Sequence, residues 1–435
     1  MANLNVNRSA AAVATPASSR KAALAVVTSL FFMWGFVTVL NDVLVPHLKS
    51  IFDLQYAKAS LIQFAFFLAY FLFSLPAAKL IDRVGYKRTM VIGVVVMGIG
   101  ALLFIPAAAV PSYALFLGAL MVLAGGITAL QVAANPYVAV LGPPETASSR
   151  LNLAQAFNSL GTAIAPYLGG YLILSATSKS IDTVRQMSPE VLQAYRVQEA
   201  SSVKLPYLII GLALILLGAA ISMFKLPPTP QAELHEHDGR AIKSLWRFRQ
   251  LVLGTVGIFV YVGAEVSIGS FLINYFSQAN IGNITEQAAA KYVSLYWLGA
   301  MIGRFIGSAV LQKVRTGTVL GIAAIVAFVL VCTSLLSMGH LAMGSIILVG
   351  LFNSVMFPSI FTLGIAGLGP LTGDGSGLLV MAIVGGAVIP LAMGFLADHI
   401  GLHHAFILPA ICYLYIMYYA FRGSRPTAAA PERTA

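Results

Sequence analysis

Long apolar stretches alternate with short polar connections along almost the whole chain. A helix needs about 20 residues to cross the hydrocarbon of a bilayer, and twelve stretches reach or approach that length. They lie at 22–48, 58–80, 88–108, 112–140, 151–175, 205–225, 248–276, 289–311, 317–338, 341–366, 375–397 and 403–421. The pattern predicts an all-α polytopic membrane protein with twelve transmembrane helices.

Two polar intervals are much longer than the others, at 176–204 and 226–247. The second opens with a proline-rich run and divides the spans into two sets of six. We therefore predict two pseudo-symmetric six-helix halves joined by a cytoplasmic linker and flanked by two cytoplasmic tails. The predicted boundaries are 1–21 for the first tail, 22–225 for the N-terminal half, 226–247 for the linker, 248–421 for the C-terminal half and 422–435 for the second tail.

Composition agrees with this pattern and the distribution of charge adds an orientation. Only 9% of the 435 residues are charged, against 59% hydrophobic, and the mean hydropathy is +0.87. Soluble domains carry roughly a quarter charged residues. The net charge of +11 does not indicate nucleic-acid binding, because 18 of the 26 basic residues fall in the segments assigned to the inside and seven in those outside. This bias places both termini in the cytoplasm.

The first span ends in polar side chains at membrane depth. Thr38, Asn41 and Asp42 have the spacing i, i+3, i+4, so they share one face of the helix. A carboxylate inside a membrane is costly and is a functional-site hypothesis by default. We interpret Asp42 as a coupling residue for a proton or a sodium ion, with Asn41 and Thr38 as substrate contacts. The alternative is that Asp42 only caps its helix near the outer interface.

Two later spans of the N-terminal half carry stripes of amides and hydroxyls. Their members are Thr128, Gln131 and Asn135 on the fourth span, and Gln155, Asn158, Ser159 and Thr162 on the fifth. Amides offer neutral donors and acceptors in pairs, which suits the hydroxyls of a neutral ligand. We predict Gln131, Asn135, Gln155 and Asn158 as substrate contacts. The alternative is that the same side chains hold helices to one another.

The C-terminal half contains a second intramembrane acid, Glu265, in its first span. Repeated halves with a site at their interface are common in transporters. Glu265 is predicted to couple a cation, and binding of substrate or pairing with Arg304 stay open as alternatives. Asn274, Trp297 and Asn353 are predicted substrate contacts, although aromatic residues such as Trp297 also line membrane interfaces.

Several motifs resemble a known family. The connection after the second span reads Ala78-Lys-Leu-Ile-Asp-Arg-Val-Gly-Tyr-Lys-Arg88 and resembles the signature loop of the major facilitator superfamily. The strings QVAANPY (131–137) and NLAQAFNS (152–159) resemble its fucose/glucose/galactose permease branch. Gln131 stands where the fucose permeases carry Glu, so the bacterial glucose/galactose transporters match better. The resemblance implies a gating role for Asp82, Arg83, Gly85, Lys87 and Arg88.

The sequence also excludes several activities. It contains no phosphate-binding Gly-Lys-Ser/Thr loop, no HExxH and no paired CxxC motif, so we expect neither an enzyme nor nucleotide-driven transport. His235, Glu236, His237 and Asp238 cluster in the linker, where we interpret them as an incidental solvated group. No cofactor or metal is expected beyond a co-transported proton or sodium ion.

These observations together predict a secondary transporter. We expect a monomer in the bacterial inner (plasma) membrane that imports a neutral monosaccharide of the glucose/galactose type by cation symport and alternating access. The alternatives are a permease for fucose or N-acetylglucosamine, a drug/proton antiporter, or a sugar sensor. The amide stripes argue against an antiporter, whose pocket should be apolar and aromatic.

Overall fold

The structure is a computed structural model. It describes residues 17–52, 56–110, 112–173, 187–188, 190–192, 195, 201, 203–227 and 244–426, and the side chains of these except 17–18, 40–52, 56–60 and 167–173. Within these ranges the chain is helical and contains no strand.

In the described part of the first half there are five long helices. They are α1 (Ala17–Phe52), α2 (Tyr56–Ala109), α3 (Tyr113–Val140), α4 (Ala147–Ile173) and α5 (Lys204–Met223). A 3-10 turn, Pro144–Thr146, joins α3 to α4. The first helix therefore begins at Ala17, inside the predicted tail.

In the second half, nine helices of unequal length are described. They are α6 (Arg249–Ser277), α7 (Glu286–Val310), α8 (Thr316–Leu336), α9 (Gly339–Asn353), α10 (Met356–Ile365), α11 (Thr372–Met381), α12 (Gly385–Ile400), α13 (Leu402–Ala405) and α14 (Ile407–Tyr418). A π-helical turn, Tyr419–Gly423, continues α14. Short 3-10 turns, Gly369–Leu371 and Ala382–Val384, flank α11.

The helices account for the twelve predicted crossings. Ten segments of the described chain are long and apolar enough to span a membrane. One of them, Leu61–Ala109, is far too long for a single crossing and is kinked at Gly85, so it makes two. The helix α4 adds the twelfth crossing, and its lower hydropathy follows from its polar stripe. The predicted all-α fold of twelve helices is confirmed, whereas the exact domain boundaries stay a prediction.

Gly85 makes the connection between the second and third crossings much tighter than the predicted loop. Its φ of +80° and ψ of 167° are the only non-helical angles inside α2. An L-residue with a side chain rarely adopts this conformation, whereas glycine does so at no steric cost. One glycine therefore replaces a loop of several residues.

The tenth predicted span, 341–366, is interrupted where α9 ends at Asn353 and α10 begins at Met356. Pro358 explains the break, because proline has no N–H to donate to the carbonyl of Ser354 and its ring clashes with that carbonyl. The interruption puts an irregular backbone segment beside the buried side chain of Asn353.

Glycines allow the helices of the first half to pack closely. At the crossing of α2 and α3, a Cβ on Gly126 would lie 2.4 Å from the backbone nitrogen of Met97, and one on Gly93 would lie 2.9 Å from the carbonyl oxygen of Gly126. Small residues of this kind are typical of helix–helix contacts in membranes, where backbones must approach closely to gain van der Waals contact.

One end of the bundle, which we call the basic face, contains Gly85, the α3–α4 connection and residues 311–315. Contacts tie these connections together, because Lys87 donates to the carbonyl of Ser222 (2.7 Å) and the hydroxyls of Ser148 and Thr316 lie 2.8 Å apart. The basic residues described at this face include Arg20, Lys21, Arg83, Lys87, Arg88, Arg150, Lys225, Arg247, Arg249, Lys313, Arg315, Arg422 and Arg425.

The two halves meet in a polar seam near the basic face. Ser149 donates to the carbonyl of Ser308 (2.7 Å), and Ser376 on α11 donates to the carbonyl of Val132 on α3 (2.7 Å). The hydroxyl of Ser148 also lies 2.6 Å from that of Thr362. The protein is therefore closed at the basic face.

Candidate functional site

Asn353 is the centre of a buried polar cluster in the second half. Its side-chain amide donates to the hydroxyl of Tyr296 (2.9 Å) and accepts from that of Tyr413 (2.8 Å), while Tyr261 donates to its backbone carbonyl (3.1 Å). We call these four residues the tyrosine cluster. Asn353 thus holds α6, α7 and α14 together in this conformation.

Glu265 lies beside the tyrosine cluster on α6, one turn after Tyr261. One of its carboxylate oxygens, Oε1, is buried and has no hydrogen-bond partner among the described residues. Tyr261, Tyr296 and Arg304 are all close enough to interact with its charge. An unsatisfied buried acceptor is costly unless a ligand or proton satisfies it, so this oxygen is available for a proton, a cation or a substrate hydroxyl.

Arg304 on α7 reaches across the seam instead of forming a direct ion pair with Glu265. Its Nη1 donates to the hydroxyl of Ser159 and to the carbonyl of Gln155 (3.3 Å), both on α4. Asn152 in turn donates to the carbonyl of Arg304 (2.6 Å). The Nε of Arg304 is buried without a described partner. The sequence suggested Arg304 only as a partner of Glu265 and gave no sign of these contacts between the halves.

The two predicted residues of the α3 stripe behave differently. Gln131 donates to the hydroxyl of Tyr70 on α2 (2.7 Å), so its amide joins two helices. Asn135 is fully buried, and neither its Nδ2 nor its Oδ1 has a partner among the described residues. Both polar atoms of the Asn135 side chain are therefore available to a ligand. In Gln131 only the side-chain carbonyl oxygen is available.

The remaining predicted substrate and coupling residues of the first half lie on α1 and α4. Asn158 is buried and donates to the carbonyl of Phe31 (2.9 Å), which attaches α4 to α1. Thr38 donates to the carbonyl of Trp34 in its own helix (2.9 Å). Gln155 is buried at the seam beside Arg304. Asn41 and Asp42 lie within α1, but their side chains fall outside the described residues.

Asn274 and Trp297 are more exposed than the residues of the tyrosine cluster. Asn274 is exposed on α6, and Trp297 is 45% exposed on α7. The Trp297 ring packs edge-on against Tyr296, with centroids 5.1 Å apart. A Cβ on Gly269 would lie 2.9 Å from this indole, so the ring also packs against α6 at Gly269.

The predicted gating residues flank the Gly85 turn. Asp82 is half-buried, with Oδ1 3.8 Å from a Cβ built on Gly373 of the other half, while Arg83 and Arg88 are exposed. Tyr86 is within electrostatic range of Asp82 and of Asp374, which is buried near the start of α11. The turn therefore lies against the other half at the seam.

Sequence reasoning missed Tyr70, Tyr261, Tyr413 and Asp374. The sequence does contain a signal for two of these residues. Tyr261 precedes Glu265 by four residues and so shares its helix face, and Asp374 is an acid at the edge of an apolar run. The other two are ordinary aromatic positions in the sequence, and only the fold brings them to Gln131 and Asn353.

We expect that Gly377→Val opens the seam. A Cβ at Gly377 on α11 would lie 2.7 Å from the Cβ of Ala78 and 3.2 Å from the carbonyl of Ser74, both on α2. Overpacking costs about 1–3 kcal/mol, which would favour the conformation with the halves apart at the basic face by roughly fivefold to a hundredfold. In a variant with Cys332 and Cys412 replaced by serine, maleimide should label a cysteine at buried Ser74 correspondingly faster.

The control for this prediction is Gly344→Val, because a Cβ there meets no atom within 4 Å. Gly344→Val should leave the labelling rate unchanged. Equal labelling rates in the two variants would contradict the assignment of Gly377 to the closed seam.

The comparisons with known proteins agree with this architecture. Residues 22–383 match the model of the Major Facilitator Superfamily. A glucose/galactose transporter of Brucella abortus is 52% identical over 403 residues, covering 93% of this chain and 94% of that protein. The L-fucose-proton symporter of Escherichia coli is 38% identical over 411 residues, covering 93% of each.

A solved structure is similar throughout its length. It is a major facilitator transporter, FucP, in the outward conformation, with a TM-score of 0.87, 36% identity and coverage of 94% of this chain and 100% of that one. The resemblance inferred from the sequence motifs is confirmed. The chain belongs to the major facilitator superfamily, and it is a multi-pass membrane transporter and not an enzyme.

Proposed function

We propose that the protein imports a neutral hexose of the glucose/galactose type by symport with a proton or a sodium ion. The observation that carries the proposal is the chemistry of the buried polar residues between the halves. They are mainly amides and hydroxyls, and Glu265 adds a buried carboxylate with one unsatisfied oxygen. Neutral donor–acceptor pairs suit sugar hydroxyls, and the carboxylate suits a cation.

The relatives support the same substrate class. Proteins of B. abortus and Helicobacter pylori with 52% and 43% identity are named as a glucose/galactose transporter and a putative one. The L-fucose-proton symporter of E. coli is more distant at 38%. Fucose is therefore the second candidate. N-acetylglucosamine is a further neutral sugar whose polar groups would suit the amides, whereas a drug/proton antiporter fits the amide-lined site poorly.

The transport cycle follows from the seam. In the described conformation the halves are closed at the basic face, and rocking of the halves would break the seam and expose a midplane site to that side. We propose that the basic face is cytoplasmic, with both termini there, in the inner membrane of a bacterium. A monomer is sufficient for this cycle, since both halves lie in one chain.

Asp42 and Glu265 are the proposed coupling acids. Binding of a cation removes a buried charge and so changes the relative free energy of the two conformations. Asp42 is an intramembrane acid of the first half, and Glu265 lies beside Tyr261 and within range of Arg304. A lone carboxylate with neighbouring oxygens accepts either a proton or sodium.

The test is uptake of labelled glucose, galactose and fucose into proteoliposomes, under a pH gradient or a sodium gradient. A tenfold cation gradient contributes about 1.4 kcal/mol per co-transported cation, so with one cation per sugar the parent should accumulate sugar up to about tenfold. Asp42→Asn should abolish accumulation while sugar counterflow continues. Asp398→Asn, at an exposed position of α12, is the matched control and should accumulate normally.

Two outcomes would contradict this proposal. Undiminished accumulation in Asp42→Asn would assign coupling to Glu265 alone. Absence of transport for every sugar in the panel, by reconstituted protein that is correctly folded, would overturn the hexose assignment.

A further inference from the structure

A cavity of about 640 Å³ opens at the basic face where α6 begins and α14 ends. Its described lining consists of Arg249, Arg422, Arg425 and Pro426. Three guanidinium groups thus line one cavity, and none of the described lining residues is acidic. The volume is within the range of sites that hold small molecules, and the chemistry favours an anion with several acceptor oxygens.

The cavity is continuous with an exposed apolar surface. On α14, Ile411, Leu414 and Tyr418 are exposed and precede Arg422 by 11, eight and four residues, so they form one stripe that ends at the cavity. On α6, Val256 is exposed and lies two turns from Arg249 on the same side. A cationic cavity above an apolar stripe matches a molecule with an anionic head and acyl chains.

The local backbone and contacts hold this arrangement in place. Residues Tyr419–Gly423, which include Arg422, form a π-helical turn, and such turns are rare and occur frequently at functional sites. Arg249 donates to the hydroxyl of Tyr418 (3.0 Å), which directs its guanidinium towards α14. Trp246, three residues before Arg249, is 66% exposed, as expected for an aromatic ring at the level of lipid headgroups.

We propose that this cavity is a binding site for the phosphate headgroup of an anionic phospholipid. Basic pockets between membrane helices bind such headgroups through charge and hydrogen bonds to phosphate. Bound lipid would bridge the first and last helices of the second half. The proposal concerns the lipid alone and does not depend on the transported sugar.

The experiment uses the quenching of Trp246 fluorescence in full-length detergent-solubilised protein. Protein is titrated with phosphatidylglycerol or phosphatidylcholine brominated near the headgroup, and the quenching that disappears in Trp246→Phe is taken as the signal. Phosphatidylglycerol should saturate the signal at much lower concentration than phosphatidylcholine. Replacing Arg249, Arg422 and Arg425 by glutamine should weaken phosphatidylglycerol binding by about fivefold for each arginine removed.

The matched control removes three other charges from the basic face through Lys225→Gln, Lys313→Gln and Arg315→Gln, all exposed positions. This variant should bind phosphatidylglycerol like the parent. If both triple variants bound phosphatidylglycerol equally weakly, binding would depend only on net charge, and the proposal would be overturned. Displacement of the lipid by millimolar inorganic phosphate would assign the cavity to free anions instead. Unchanged quenching in the triple arginine variant, with a parent-like elution profile, would also overturn it.

Discussion

Arg304→Leu is expected to abolish gradient-driven accumulation and to slow sugar counterflow at least about tenfold. The guanidinium on α7 donates to Ser159 and to the carbonyl of Gln155 on α4, so it joins the two halves at membrane depth. Hydrogen bonds that involve a charged group contribute about 1.5–3 kcal/mol each. Their loss destabilises the conformation that is closed at the basic face and shifts the conformational equilibrium that transport needs.

A second cause of the defect is Glu265. Without Arg304, its buried carboxylate loses the nearest described positive charge. Because the two groups form no direct ion pair, this loss should cost less than the roughly 3–5 kcal/mol of breaking a buried pair in contact. Glu265→Gln should therefore recover part of the melting temperature that Arg304→Leu loses. It should not restore accumulation, because one of the two proposed coupling acids is then missing.

A double-mutant cycle separates the two contributions. If Arg304 acts only through Glu265, the double variant should have the melting temperature of Glu265→Gln alone. If it acts only through the seam, Ser159→Ala should reproduce much of its effect and Glu265→Gln should give no recovery. Arg315→Leu, at the exposed basic face, is the control. Parent-like counterflow in folded Arg304→Leu would contradict both roles.

The general architecture was readable from the sequence because it depends on local properties. Twelve apolar stretches, a polar linker and the bias of basic residues are each visible within a short window of the chain. The turn at Gly85 and the break before Pro358 also have local causes. Hydropathy could not indicate that the chain turns at the single residue Gly85, because this turn depends on one backbone conformation.

The site was only partly readable, because its residues belong to helices far apart in the chain. Glu265 and Asn353 were identified as polar residues inside apolar spans. The partners of Asn353 were not identified, because Tyr296 and Tyr413 lie 57 and 60 residues from it and resemble many other aromatic positions. The contact of Arg304 with Ser159 spans 145 residues, and nothing in either local sequence indicates it.

Helix contacts and substrate contacts compete for the same amides, and this explains the ambiguity of the stripes. Gln131 and Asn158 each donate to a neighbouring helix, whereas Asn135 is buried without a described partner. A residue that joins two helices in one conformation releases its hydrogen bond when those helices move. The unsatisfied atoms of Asn135 and Glu265 therefore indicate where the described conformation leaves hydrogen-bonding capacity for a ligand.

Gly161→Ala is expected to lower the melting temperature by several degrees and to abolish transport. The helices α1 and α4 cross with their backbones nearly in contact, and a Cβ at Gly161 would lie 2.2 Å from the carbonyl oxygen of Phe32. A Cβ at Gly35 would be equally close to the carbonyl of Asn158 on the opposite side of the crossing. Backbone atoms cannot move aside as a flexible side chain can, so the helices must separate, at a cost of about 1–3 kcal/mol or more.

Separation of these helices would also break the hydrogen bond from Asn158 to Phe31, which lies at the same crossing. It would further displace α1, the helix that contains Asp42, relative to the polar stripe of α4, so transport should fail even in the fraction that folds. Gly118→Ala is the matched control, because a Cβ there meets nothing within 4 Å and alanine has the higher helix propensity. Thermal unfolding followed by size-exclusion chromatography, together with counterflow, measures both effects. The close crossing would have no functional role if the two alanine variants behaved alike, because only Gly161→Ala forces the helices apart.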